Sequence, residues 1–188
     1  MEVVKIGKQE WMAKNLDVDH FRNGDPIPQV QDSDQWKNLT TAAWCYYKND
    51  PGNGTKYGKL YNWYAVNDPR GLAPEGWHVP TDEEWKILSN YLGGEKAAGG
   101  KMKEKGTAHW HGPNTGATNE SGFSALPGGY RLGDNGIFGL VSDGATFWSS
   151  STYHPATAII CGLDSHYSEF WFDTGYKHYG YSVRCIRD

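Results

Sequence analysis

Residues 76–94, GWHVPTDEEWKILSNYLGG, carry the strongest local folding signal in the chain. Thr81 precedes Glu84 by three positions, the spacing of a capping box, in which each side chain bonds the other residue's backbone N–H at a helix start. The apolar residues that follow repeat at helical spacing, at Trp85, Leu88 and Leu92. Because two adjacent glycines, Gly93 and Gly94, end such a pattern, the sequence predicts a helix between Thr81 and this pair.

Three carboxylates stand side by side in the first turn of this helix, at Asp82, Glu83 and Glu84. Paired carboxylates can serve as the acid and base of a hydrolase. Acidic residues in a first turn also complement the helix dipole, and that role accounts for all three. We therefore interpret them as a helix start and predict no catalytic residue here.

Short strands are predicted on both sides of the helix. They cover Val3–Ile6, Gln9–Met12, Thr146–Ser150, Ala158–Leu163, Glu169–Phe172 and Tyr181–Ile186. Residues 22–36 are turn-rich and predict a loop, residues 42–50 a strand running into a turn at PGNG, and Tyr57–Val66 a short helix. Gly99–Gly144 is too long for an idle loop, so we expect an ordered segment anchored by buried Trp110 and Phe123.

Composition limits the class of protein. The chain has 188 residues, enough for one domain, with 38% hydrophobic residues, 14% aromatic residues and 24 glycines. A net charge of −4 gives no electrostatic basis for binding nucleic acid. No apolar run approaches the ~18 residues that span a bilayer, so direct membrane insertion is not expected. The first sixteen residues show no charged segment followed by an apolar one, so no signal peptide is predicted there.

Three cysteines, Cys45, Cys161 and Cys185, match no zinc-site spacing. Spacing alone leaves open one disulfide with one free thiol, or three reduced thiols.

Six separated motifs cover nearly the whole chain, in this order: VKIGKQEWMAKNL, WCYYKNDPGNGTKYGKLYNWYAV, GWHVPTDEEWKIL, AAGGKMKEKGTAHWHGPNTGATNESGFSALPGGYR, FWSSS and GYSVRCIRD. Together they resemble the Fibrobacter succinogenes major paralogous domain, which is similar to the formylglycine-generating-enzyme branch of C-type lectin-like folds. The resemblance implies a single α+β domain over residues 1–188, with small twisted antiparallel sheets, one or two helices and long structured loops. It also implies an exported protein, extracellular or on a cell surface or phage particle. In the family pattern, cysteines stand at Cys45 and Cys185, which implies a disulfide between them; Cys161 lies outside the pattern.

The same resemblance raises an enzymatic alternative. Formylglycine-generating enzymes work through two nearby reactive cysteines that hold copper, and this chain has Cys161 and Cys185 in its last third. Neither stands in a recognisable catalytic setting, so incidental or structural cysteines are favoured. Metal binding through histidine is a second enzymatic alternative, and the candidate ligands are His109, His111, His166 and His178. No third ligand is evident beside them, so we favour surface or hydrogen-bonded histidines and predict no enzyme.

Calcium is the one cofactor that the resemblance leaves open, because C-type lectin-like folds often hold Ca²⁺ in loops. Loop residues with suitable oxygen atoms are Asn119, Asp134, Asn135 and Asp143. They lack the spacing of an EF-hand. Solvated turn residues are the favoured interpretation, and the sequence predicts no required cofactor.

Asparagine is distributed unevenly along the chain. The first 135 residues contain eleven and the last 53 contain none, where roughly four would be expected for a turn-forming residue. Substitution at the adenines of Asn codons yields Tyr, His, Ser, Asp, Gly, Thr, Ala and Ile, the residues found around 153–157 and 176–181. Trp171, whose codon has no adenine, stands between the two segments, and Trp148, with the same codon, stands just before the first. The pattern resembles variable proteins of diversity-generating retroelements; chance depletion in a strand-rich tail of a fixed paralogue is the alternative.

The C-terminal segment DTGYKHYGYSVRCIRD has aromatic residues on both strand faces, interrupted by Gly175 and Gly180. Such a segment cannot bury all of its rings, and exposed aromatic clusters usually mark contact surfaces. We therefore predict a ligand-contact region over about residues 152–181 that binds a protein or glycan on a cell surface. The alternative to binding and catalysis is a structural module of a bacterial surface protein. The predicted contact residues are Tyr153, His154, Ile159, His166, Tyr167, Glu169, Phe170, Phe172, Tyr176, His178, Tyr179 and Tyr181.

Overall fold

The chain begins with a β-hairpin, in which β1 (Val3–Ile6) pairs antiparallel with β2 (Gln9–Met12). Gly7 at the turn has φ +62°, a left-handed conformation that favours glycine. The structure, a computed structural model, describes residues 2–188. Both strands lie where the sequence predicts them.

The later strands are β3 (Trp44–Cys45), β4 (Leu60–Tyr61), β5 (Trp77–His78), β6 (Gly128–Arg131), β7 (Phe138–Val141), β8 (Gly144–His154), β9 (Thr157–Asp164), β10 (Trp171–Tyr176) and β11 (Ile186–Arg187). Within residues 2–188 the strands form three sheets. The first has the order β1-β2-β11-β5, the second β10-β9-β8-β6-β7, and the third is the pair β3-β4. All pairs are antiparallel except β6 and β8.

Five short helices pack around the sheets. They are α1 (Ser33–Lys37), α2 (Pro51–Tyr57), α3 (Trp63–Val66), α4 (Asp82–Tyr91) and α5 (Glu95–Met102), with a 3₁₀ turn at Tyr47–Asn49. Among residues 2–188, no helix is long and apolar enough to cross a bilayer. The predicted mixed α+β class is confirmed, with more helices than the one or two expected.

Helix α4 confirms the capping box. The Thr81 hydroxyl accepts a hydrogen bond from the Glu84 amide at 3.2 Å, and the Glu84 carboxylate accepts one from the Thr81 amide at 2.8 Å. Asp82 and Glu83 each pair with Lys86 at 2.9 Å. All three acids therefore stabilise the first turn, as predicted.

The five-stranded sheet separates two apolar clusters. On β8, Phe147 packs with Trp85 of α4 at 5.5 Å between ring centroids. The next residue, Trp148, points to the opposite face and packs with Tyr181 at 4.8 Å. Because neighbouring strand residues alternate in direction, the central strands are buried on both faces, which holds their ends in fixed positions.

Other segments differ from the sequence-based predictions. The predicted loop at 22–36 contains α1, whose Trp36 is fully buried. The PGNG segment begins helix α2 because Asp50 caps it and Pro51 occupies its first turn, where a missing N–H costs nothing. Within the predicted helix Tyr57–Val66, only α3 is helical after α2 ends. The predicted strand Tyr181–Ile186 pairs mostly as isolated bridges before β11.

The long segment Gly99–Gly144 is ordered, as predicted. It contains the end of α5 and strands β6 and β7, and Trp110 and Phe123 are buried in it. Helix α5 was not predicted from the sequence.

Candidate functional site

The tip of the β8–β9 hairpin and the turn after β10 meet at one end of the five-stranded sheet. Tyr176, the last residue of β10, pairs with Thr157, the first of β9. The Lys177 amide then donates a hydrogen bond to the Ala156 carbonyl at 3.0 Å. The pairing brings together five predicted contact residues, which we call the aromatic end: Tyr153, His154, Tyr176, His178 and Tyr179.

Three rings of the aromatic end pack against one another. The centroid of Tyr176 lies 5.7 Å from that of His178 and 5.5 Å from that of Tyr179, and His178 and Tyr179 are 5.2 Å apart. His178 and Tyr179 meet edge-on at 89°, and the Tyr176 ring is tilted by 34° against His178 and by 55° against Tyr179. Tyr176 nevertheless remains 48% exposed and Tyr153 69% exposed. The cluster is thus ordered by its own contacts while it offers ring area to solvent.

Asp134, in the loop between β6 and β7, holds this cluster from the side. The Tyr179 hydroxyl donates to its Oδ2 at 2.5 Å, and His178 Nε2 lies 3.3 Å from its Oδ1. The hydrogen bond from Tyr179 lowers the pKa of the Asp134 carboxyl. Burial, together with the Asp134 carboxylate, raises the pKa of Tyr179. A Cβ at Gly133 would overlap the His178 ring, so a glycine lets this loop approach.

Two predicted contact residues belong to the core, and their prediction is wrong. Tyr181 is 6% exposed, packs on Trp148, and burial raises the pKa of its hydroxyl. Phe170 is fully buried and packs against Trp85 at 5.7 Å. Both rings fill the apolar clusters beside the sheet, so neither is available to a ligand.

The remaining predicted residues lie away from the aromatic end. Ile159 and Phe172 are half-buried along the strands, and Phe172 packs on the Phe170 ring. His166, Tyr167 and Glu169 lie in the loop between β9 and β10, at the other end of the sheet. The eight residues of β9 separate the two ends, a span of roughly 26 Å at about 3.3 Å per residue. The predicted contact region is therefore two surfaces, of which the aromatic end is the larger.

The predicted Cys45–Cys185 disulfide is wrong, because both residues are free cysteines in different parts of the core. Cys45 lies in a small cluster with Trp36 and Leu60, whereas Cys185 lies in the large cluster beside Trp148. Burial raises the pKa of each thiol to about 12. Cys161 is also fully buried, and burial raises its pKa well above the ordinary value. All three are protonated thiols without access to solvent.

The candidate metal ligands are occupied by contacts within the chain. His109 bonds Glu104 at 2.9 Å, His111 bonds Asp143 at 3.0 Å and His166 lies 3.2 Å from Asp164. Within residues 2–188, no three side chains of His, Cys, Asp or Glu are grouped so as to hold a metal ion.

The candidate calcium loops show the same pattern. Asn119 Oδ1 accepts from the Ser124 amide at 2.9 Å, and Asn135 Oδ1 accepts from the Ile137 amide at 3.0 Å. Asp134 and Asp143 hold the side chains of Tyr179 and His111. These oxygen atoms stabilise turns and neighbouring loops.

Sequence reasoning missed two residues that support the aromatic end, Asp134 and Lys177. Asp134 was considered only for calcium, and its partner Tyr179 stands 45 positions later, a separation that no local pattern bridges. Lys177 alternates with the aromatic residues and places its Nζ 4.3 Å from the centroid of Trp63. That cation–π contact anchors the turn.

Comparison with known proteins gives one match. No curated protein and no solved structure resembles the chain significantly. The model of one family, described as the Fibrobacter succinogenes major domain, matches residues 4–187. That span includes β1 from its second residue, every element from β2 to β11 and the whole aromatic end. The chain belongs to the Fibrobacter succinogenes major domain family.

Proposed function

We propose that this protein is a non-enzymatic binding domain that contacts a protein or glycan partner through its aromatic end. The observation that carries the proposal is the ring cluster of Tyr176, His178 and Tyr179, which Asp134 holds in place while Tyr176 stays exposed. Preordered aromatic side chains lose little entropy on binding and offer both apolar area and hydrogen-bonding groups.

The proposal also includes the type of fold. Small twisted sheets, short helices and the long ordered segment Gly99–Gly144 are compatible with a C-type lectin-like domain, the fold that the family resemblance implies. We propose that fold, and with it a place outside the cell, on a cell surface or on a phage particle. No cofactor is part of the proposal, and Ca²⁺ would bind only where loop oxygens are released from their present hydrogen bonds.

The absence of asparagine after residue 135 supports a further part of the proposal, that the aromatic end is rewritten by adenine-directed mutagenesis. The positions concerned, 153–157 and 176–181, include all five residues of the aromatic end. Sequencing of the neighbouring DNA tests this. A near-copy of the segment coding for Trp148–Asp188, differing only at adenines and close to a reverse transcriptase gene, is expected. If no such near-copy is found, the aromatic end is not diversified, and the binding proposal then applies to a domain of constant sequence.

The binding experiment compares two pairs of exposed hydrophobic residues. The double variant Tyr153→Ala/Tyr176→Ala removes rings from the aromatic end. Its matched control, Ile87→Ala/Tyr91→Ala, removes two apolar side chains of helix α4 that are 55% and 65% exposed and belong to neither predicted contact surface. Binding of all three proteins is measured on an array of glycans and an array of bacterial surface proteins.

We expect wild type and control to bind the same spots, and the aromatic-end variant to lose them while its melting temperature stays unchanged. Equal binding by both variants would contradict the proposal, as would unfolding of the aromatic-end variant, which would favour a structural module. A reaction that Cys161→Ser abolishes in a folded protein would favour the oxidase alternative instead.

A further inference from the structure

A pocket of about 330 Å³ opens between the loop after β2, helix α2 and the buried residue Arg184. It shares no lining residue with the aromatic end. The charged residues that line it are Lys14, Asp17, Lys56 and Arg184, and His109 lines it as well. A volume near 300 Å³ is at the lower end of the range for sites that bind small molecules.

Arg184 forms the inner wall and is only 1% exposed. Its guanidinium donates to Asn15 Oδ1 from Nε at 3.0 Å and from Nη2 at 2.8 Å. Nη1 donates to the carbonyls of Met12 at 3.1 Å and Phe123 at 2.8 Å. The plane also stacks on the Phe123 ring at 4.3 Å. These contacts hold the group rigidly, but every acceptor among them is neutral.

The positive charge of Arg184 therefore has no anionic partner among residues 2–188. A buried charge is costly unless it is paired, and burial lowers the pKa of Arg184 to about 9. An arginine carries five N–H donors, and four hydrogen bonds are formed, which leaves one Nη2 hydrogen for a further acceptor.

The rest of the pocket adds positive charge. Lys14 and Lys56 are exposed at its rim, and within the described part of the chain neither forms an ion pair. Asp17 is neutralised by Lys59, whose Nζ lies 2.7 Å from its Oδ1. His109 lies beside Glu104. Two free lysines above one uncompensated guanidinium make a local cationic site in a chain of net charge −4.

We propose that this pocket binds a small ligand through an oxyanion group, a carboxylate or a phosphate, held between Arg184, Lys14 and Lys56. Charge-assisted hydrogen bonds from guanidinium and ammonium groups to such an anion are the strong ones in proteins. In this arrangement the anionic group of the ligand would lie at the inner wall beside Arg184, and the rest of the small molecule would extend toward the opening, where Lys14 and Lys56 lie.

The test is an NMR titration with two probes, inorganic phosphate and acetate, at constant ionic strength with chloride as the balancing salt. We expect saturable shifts at residues 13–17, at 124–126 and at the Arg184 Nε–H for at least one probe. The probe that binds more tightly identifies the anionic group. Shifts that follow total salt without saturating for either probe would overturn the proposal.

Substitution of Arg184 would also destabilise the fold, because its hydrogen bonds to Met12 and Asn15 connect the C-terminal segment to β2 and the loop after it. The variant that carries the test is Lys14→Met/Lys56→Met, which changes only exposed rim positions. We expect it to bind the probe about tenfold more weakly, the loss of one or two charge-assisted bonds. The control Lys8→Met/Lys96→Met removes the same charge from exposed positions outside the pocket. Equal weakening by the two variants would also overturn the proposal.

Discussion

The Tyr179 hydroxyl donates a hydrogen bond to Asp134 and so joins two loops that are 45 positions apart in the chain. This bond lowers the pKa of the Asp134 carboxyl below its ordinary value of 3.8. We expect Tyr179→Phe, which keeps the ring, to raise the pKa of Asp134 toward that value in a carbon-detected NMR titration. Tyr176→Phe should leave it unchanged, because Tyr176 forms no hydrogen bond to Asp134. The same pKa in both variants would show that the bond does not form in solution.

Tyr181 and Tyr176 should differ sharply in their effect on stability. Tyr181 is buried against Trp148, so Tyr181→Ala should cost about 3–5 kcal/mol of unfolding free energy, the usual loss for a large core ring. Tyr176 is half exposed, and Tyr176→Ala should change stability by about 0.5 kcal/mol or less. Urea denaturation measures both. A loss above about 3 kcal/mol in Tyr176→Ala would place that ring in the core and remove the basis for the binding surface.

The three cysteines should remain reduced and unreactive in the folded protein. Cys45, Cys161 and Cys185 are buried; burial raises the pKa of Cys45 and of Cys185 to about 12, and raises that of Cys161 well above its ordinary value. The nucleophilic thiolate is therefore scarce. A thiol-reactive dye should label none of them under native conditions and all three in denaturant, and a reducing agent should not change the melting temperature. Labelling of one thiol in denaturant without reductant would indicate that a disulfide forms.

His78 should make stability depend on pH. Burial opposes its charged form, but hydrogen bonds to Glu84 at 2.8 Å and Asp188 at 2.7 Å outweigh burial and raise its pKa above 6.5. A raised folded-state pKa contributes stability that is fully present below the unfolded value of 6.5 and is lost as the pH rises through the folded value.

We expect His78→Gln to remove this contribution, so the urea midpoints of wild type and variant should converge as the pH rises. The difference should be small, below about 1 kcal/mol, because the site is partly exposed. A constant difference between the two midpoints at all pH values would contradict the charged interaction.

Lys103 should contribute strongly to stability, although lysine side chains are usually exposed and contribute little. It is fully buried, and its ammonium donates to the carbonyls of Thr115, Asp164 and Tyr167 at 2.8–2.9 Å. Lys103→Met would leave three carbonyls without that donor and should cost about 3 kcal/mol or more. The control Lys105→Met, at an exposed position, should lie within about 0.5 kcal/mol of wild type in urea denaturation. Similar losses in both variants would contradict this assignment.

Helices α4 and α5 show how far local sequence determines this fold. Helix α4 is predicted because its cap, acidic first turn and apolar spacing all lie within 76–94. Helix α5 contains Gly99 and Gly100, which weaken a helix on their own. A Cβ at Gly99 would overlap the Glu169 carbonyl, and one at Gly100 the Gly116 carbonyl. The two glycines are needed for packing against segments that are distant in sequence, so no local pattern predicts α5.

The candidate site divides in the same way. Aromatic composition predicts Tyr153, Tyr176 and Tyr179 as contact residues, and the structure shows only that they lie at one end of the sheet. The burial of Tyr181 and Phe170 depends on how these residues pack into the apolar clusters on the two faces of the sheet. The contact of Asp134 with Tyr179 depends on the position of the β6–β7 loop beside the turn after β10. Both follow from tertiary pairing and are invisible in a single sequence.

The aromatic end is joined together by main-chain atoms. The Lys177 amide bonds the Ala156 carbonyl, the Tyr179 amide bonds the Tyr176 carbonyl, and the Trp63 amide bonds the Lys177 carbonyl. A backbone hydrogen bond is indifferent to the identity of the side chain above it, proline excepted. Substitutions at positions 153, 154 and 176 would therefore change the exposed side chains and keep the backbone hydrogen bonds that position them. Under the proposed function, this arrangement would let binding specificity change while the fold is retained.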